Sequence, residues 1–105
     1  MAQTPWGDLT VNDAHIHFFS HDFYSGLSRP KKLDSVEALA PVLGWDIPPA
    51  DSASLASQWI AELDRFGVRR GCLIASSHGD EASVAAAVEA FPNRFFGFFM
   101  LDPTR

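Results

Sequence analysis

The run Cys72-Leu73-Ile74-Ala75 constrains the fold of this chain more than any other segment. It is continuous and apolar, and turn residues bound it at Gly71 and Ser76. An antiparallel strand with one wet face alternates, whereas a parallel strand covered on both faces reads as an unbroken apolar run. Helical patterns flank it. Before it, Leu55, Trp59, Ile60, Leu63 and Phe66 recur at helical spacing over residues 51–66. Asp51 and Ser52 are candidate N-caps and Gly67 fits the position just past the C-terminus. After it, Ser77 to Asp80 cap a second helix buried through Val84, Ala87, Val88 and Phe91 and ended by Pro92-Asn93. A third strand is expected from Arg94 to Leu101. Strands alternating with helices predict parallel βαβ units.

The first strand is expected over residues 9–19. Its alternation puts Asp13, His15 and His17 on one face and Ala14, Ile16 and Phe18 on the other. Residues two apart in a strand point the same way, with Cα atoms about 6.5–7 Å apart. Two imidazoles at that separation can converge on one divalent metal through Nε2 bonds of about 2.0–2.1 Å. Asp13 shares their parity, where a carboxylate can orient a ligating histidine. The same spacing also arises from two solvated histidines at a strand end. Position favours the metal reading, since sites in β/α folds gather at the C-terminal ends of strands.

Residues 20–50 are expected to form a long connection, with Pro30, Pro41, Pro48 and Pro49 and many aromatics. Loops of this length are usually functional or disordered. Phe18, Phe19, Phe23, Tyr24 and Trp45 favour a packed lid. A short helix at 34–40 would give Val36, Leu39 and Ala40 one apolar side.

The net charge of −5, from 13 acidic and 8 basic residues, argues against nucleic acid and anionic membrane as partners. The single cysteine, Cys72, excludes an internal disulfide, fits a reducing compartment and reads as small core filler. No apolar stretch approaches the roughly 18 residues of a membrane span, and residues 1–6 lack the features of a secretory signal. A cytoplasmic location is expected. A three-stranded parallel sheet leaves apolar edges exposed, so the 105 residues are expected to begin a larger protein.

Asp13-Ala14-His15-Ile16-His17-Phe18 resembles the opening metal motif of the amidohydrolase superfamily. Leu63-Asp64-Arg65-Phe66-Gly67-Val68, Phe91-Pro92-Asn93-Arg94-Phe95, Gly97 and Leu101-Asp102-Pro103 resemble its amidohydrolase-related branch, which holds decarboxylases, hydratases and lactonases. The resemblance spans most of the chain outside residues 20–50. It implies an α/β fold: a single partial domain over residues 1–105, forming the N-terminal β-α-β-α-β portion of a distorted TIM barrel with parallel strands. It implies that His15 and His17 ligate a divalent metal, usually zinc. Further ligands and the catalytic acid or base would come from later strands, beyond Arg105. The implied activity is metal-dependent hydrolysis or decarboxylation of a small, carboxylated substrate through a metal-activated water, with the isolated chain inactive. Asp13, His78 and His21 are candidates to orient a metal ligand or to line the pocket. Arg29, Lys31 and Lys32 could meet a substrate carboxylate, and Asp102 reads as a turn-forming Asp-Pro. The alternative is a non-catalytic βαβαβ module that forms a homo-oligomer or binds a partner.

Overall fold

The computed structural model describes residues 1–30 and 33–104. Strand β1 (Ala2–Thr4) pairs antiparallel with β2 (Gly7–Leu9) in a small hairpin. This hairpin corrects the expectation that Leu9 starts the next strand. The turn makes the difference. Pro5 suits the second position of a turn, Gly7 takes a φ of 105°, and the Thr4 hydroxyl donates to the Gly7 carbonyl at 2.7 Å.

Strand β3 (Val11–His17) pairs in parallel with β4 (Val68–Ile74), and β4 pairs in parallel with β5 (Phe95–Phe98). The sheet order is β3-β4-β5. Helices α1 (His21–Ser28), α2 (Leu39–Leu43) and α3 (Ser52–Arg65) lie between β3 and β4, and α4 (Glu81–Ala90) between β4 and β5. The mixed α/β class with parallel strands is as expected. Strand β5 is shorter than the expected 94–101, since β4 has no residue to pair beyond Phe98 in the ladder. Phe99, Met100 and Leu101 follow it, exposed.

The main core lies on one face of the sheet. Leu55, Ala56 and Leu63 of α3 and Val84 and Ala87 of α4 pack against Ile16, Phe18, Leu73, Ala75 and Phe95. Two glycines allow the close approach. A Cβ on Gly71 would stand 2.6 Å from Ile16 Cδ1, and one on Gly97 2.7 Å from Val84 Cγ1. Helix α3 starts at Asp51, whose carboxylate accepts from the amides of Ala53 and Ser54. It ends at Gly67 with a φ of 70°. At the N-terminal end of the sheet, Arg94 donates to Asp64 Oδ1 at 2.6 Å and to the carbonyls of Arg69 and Val68. The Asp64 and Arg94 segments, distant in sequence, therefore meet as a structural clamp.

The expected 20–50 loop is a correction: it contains α1 and α2. A second core of Tyr24, Val36 and Leu39, backed by Phe19, Phe23, Leu27, Leu33, Leu43 and Ile47, orders it. The short helix expected at 34–40 lies later, over Leu39–Leu43. Pro41 falls in its first turn, where a missing N–H costs no helical hydrogen bond, and Gly44 ends it with a φ of 71°. Lys31 and Lys32 lie outside the described residues. Among those described, no helix is long and apolar enough to cross a membrane.

Strand β3 pairs irregularly. Between Val11 and Asn12 the partner strand carries one extra residue, and between Asp13 and Ile16 β3 carries one. Such bulges break the two-residue alternation locally.

Leu73 has no exposed surface. Leu73→Ala is expected to cost about 2–5 kcal/mol, the range for buried Leu→Ala changes, read from the shift in a urea unfolding curve. A second expectation concerns pH. The Ser54 hydroxyl, followed by the Ala53 and Ser54 amides, holds the Asp51 carboxyl below its ordinary value. That stabilisation is present above the unfolded carboxylate pKa of about 3.9 and fades as pH falls through the lower folded value. Asp51→Asn should therefore unfold at a lower temperature than the parent chain at pH 6, and the gap should close on acidification below about pH 4.

Candidate metal centre

His15 and His17 lie at the C-terminal end of β3, on the face of the sheet opposite α3 and α4. Ile16 and Phe18 turn into the helix-facing core, and the histidines are exposed. Their Nε2 atoms stand 3.0 Å apart, with the rings at 68°. Two nitrogens bound to one ion at about 2.0–2.1 Å, at angles between right and tetrahedral, stand about 2.8–3.4 Å apart. The pair thus has the separation that two ligands of one ion require.

The 3.0 Å approach of the two Nε2 atoms is itself a hydrogen bond, and others surround the pair. His17 Nδ1 lies 3.1 Å from Ser76 Oγ, which directs its own proton to the Ile74 carbonyl at 3.4 Å. In the tautomer with its proton on Nδ1, His17 donates to the serine oxygen and its Nε2 lone pair faces His15. A ligating histidine is commonly oriented through its other nitrogen in this way. Phe19 stacks on the His17 ring at 5.5 Å and 20° and fixes it from a second side. In sequence Ser76 reads as a strand boundary followed by Ser77 and His78. The parallel partnering of His17 with Ile74 is what brings it beside His17.

The other candidates do not join the pair. Asp13 Oδ1 accepts from the backbone amide of His15 at 3.0 Å, so its carboxylate caps the bulge and does not bond an imidazole. The simple parity argument fails there because the extra residue in β3 interrupts the alternation. His21 opens α1 and its Nε2 lies 3.7 Å from Glu37 Oε1. His78 is exposed in the turn before α4. Its charge adds to the lowering of the Asp102 carboxyl, which comes first from the Thr104 hydroxyl and amide. Asp102 is the turn residue expected, accepting from Thr104 N at 2.9 Å. Arg29 caps the end of α1 and is exposed. Among the described residues, no three His, Cys, Asp or Glu side chains cluster tightly enough to hold an ion. The pair fits a metal as part of a ligand set, not as the whole of one.

Two cavities adjoin this end of the sheet. One of about 450 Å³ runs along the face that carries the histidines, between Asp13, Arg70, Cys72, Phe96 and Phe98. The other, of about 230 Å³, lies between His17 and the first turns of α3. A polar link that the sequence did not reveal holds the segment after His17. Ser20 caps α1 by accepting from Phe23 N, and its hydroxyl donates to the buried Asp80 at 2.6 Å. Ser83 donates to the other Asp80 oxygen at 2.5 Å.

Comparison with protein-family models, with curated proteins and with solved structures finds no match to this chain.

Cys72 is buried, as expected of a small filler, but on the histidine side of the sheet. Burial, with Asp13 nearby, pushes its thiol pKa up. Thiolate is the reactive form. Alkylation by iodoacetamide at pH 8 should therefore run at least about tenfold slower in the folded chain than in guanidinium, as followed by mass spectrometry.

Proposed function

We propose that this chain is the N-terminal part of a metal-dependent, amidohydrolase-type enzyme built on a TIM barrel, acting on a small molecule as hydrolase or decarboxylase. The convergence of His15 and His17 Nε2 atoms at 3.0 Å carries this reading. Two further features support it. The pair lies at the C-terminal ends of parallel strands, where barrel enzymes place their chemistry. The sheet face bearing it is uncovered, with Phe96 and Phe98 more than half exposed, as an inner barrel face would be before the remaining strands close over it.

His15 and His17 would hold the ion, with zinc the usual choice for an imidazole pair. When bound with an open position, such an ion lowers the pKa of its water to about 7 and polarises a carbonyl or carboxylate. The chain's own residues do the rest of what is visible. Ser76 lies within hydrogen-bond distance of His17 Nδ1, the arrangement that leaves Nε2 to an ion, and Phe19 limits rotation of that ring. The remaining ligands and the catalytic acid or base would come from other strands.

A second reading rests on the exposed run Phe96, Phe98, Phe99, Met100 and Leu101 and the unpaired edge of β5. These suit a non-catalytic module that associates with itself or a partner.

The intact mass and metal content of the protein purified from its source cell separate the two. The enzyme reading expects a product of about 250 residues or more, holding one divalent ion. His15→Ala or His17→Ala should abolish that occupancy, and Ser76→Ala should weaken zinc affinity about 10–100-fold. A metal-free product ending at Arg105 would sink it.

A further inference from the structure

We propose that the 230 Å³ cavity beside His17 takes a small apolar molecule bearing a cationic nitrogen, held by Asp46 against an aromatic wall. The inference rests on the enzyme reading only in calling that molecule a substrate. The cavity wall itself supplies the argument. Phe19, Tyr24 and Trp59 line it, with Asp46 and Gln58 as polar members and His17 at one side. Phe19 and Tyr24 meet edge to face at 6.3 Å, and Tyr24 in turn meets Trp45 at 6.4 Å. The wall is therefore a packed aromatic corner and not a set of loose rings.

The charge of the lining sets the ligand class. Among the described residues, Asp46 makes no ion pair or hydrogen bond, and no Lys or Arg lines the cavity. A carboxylate ligand would find a carboxylate there and, among the described lining residues, no Lys or Arg to oppose it. An ammonium would meet Asp46 within a lining that includes Phe19, Tyr24 and Trp59, and aromatic side chains attract cations. Because His17 and Asp46 line the same small space, an ammonium held at Asp46 turns the rest of the molecule toward the histidine pair. This departs from the carboxylated substrate expected from the sequence. Of the basic residues offered for that role, Arg29 ends α1 and is not among the lining residues, while Lys31 and Lys32 fall outside the described residues.

Three probes of one shape test it: benzylamine, benzyl alcohol and benzoate. Each is titrated at pH 7 into the full chain in excess chelator, with NMR shifts of the Trp59 indole N–H and Gln58 side-chain amide as readout. Benzylamine is expected to bind about tenfold tighter than the other two, a difference of about 1.4 kcal/mol. Asp46→Asn, an exposed loop change, should reduce benzylamine to the level of benzyl alcohol. Benzoate binding as well as benzylamine, an unchanged preference in Asp46→Asn, or no shift with any probe would each overturn the proposal. The chelator makes this result independent of the metal. Zinc titration of the His15→Ala and His17→Ala variants tests the enzyme reading separately, so either idea can fail alone.

Discussion

Leu73 has no exposed surface, and its strand, β4, has a neighbour on both sides in the parallel sheet. Both helices that cross back along the sheet press onto the same face, through Leu63 and Val84 among others. Gly71 and Gly97 make room for this by carrying no side chain where Ile16 and Val84 need space. Burial is therefore one-sided. Parallel sheets are rarely left in that state, because their open face is apolar and their edges carry unpaired backbone groups. The histidine pair, Cys72, Phe96 and Phe98 all belong to the uncovered side. The site exists where the core does not.

A buried carboxylate then fixes what happens at the rim. Asp80 is 2% exposed and receives hydroxyl protons from Ser20 and Ser83. One serine caps α1 immediately after β3 and the other lies in the first turn of α4. A buried charge is costly unless its lone pairs are satisfied, so these three residues hold each other in place. The consequence reaches the site. Phe19, which stacks on His17, is the residue before Ser20, and its position follows from that anchorage.

Much of this was readable in the residues. The apolar run at Cys72–Ala75, the stripe from Leu55 to Leu63 and the stops at Gly67 and Pro92 are local signals with local causes, and they mark the elements to within a few residues. What escaped depended on partners distant in the chain. Helix α1 is short and its cap, Ser20, draws its strength from Asp80, sixty residues away. The N-terminal hairpin turned on the φ of Gly7, which a pattern of β-formers does not expose. For the site, the spacing of His15 and His17 was sufficient to find the pair. Asp13 lines the neighbouring cavity but bonds the His15 amide and not an imidazole, because strand parity assumes an unbroken ladder, and the place of Ser76 beside His17 exists only through the β3–β4 register.

That register contains a compensation. One strand gains a residue near Asn12 and the other gains one before Ile16, so the pairs at both ends, Val11 with Val68 and His17 with Ile74, keep the same sequence offset. The two irregularities cancel. In evolutionary terms the lengths of β3 and β4 are coupled. A single-residue insertion or deletion between Asp13 and Ile16 would slide His17 off Ser76, while a matched change in both strands would leave the pair in place. Homologous chains should therefore vary in length here only in step.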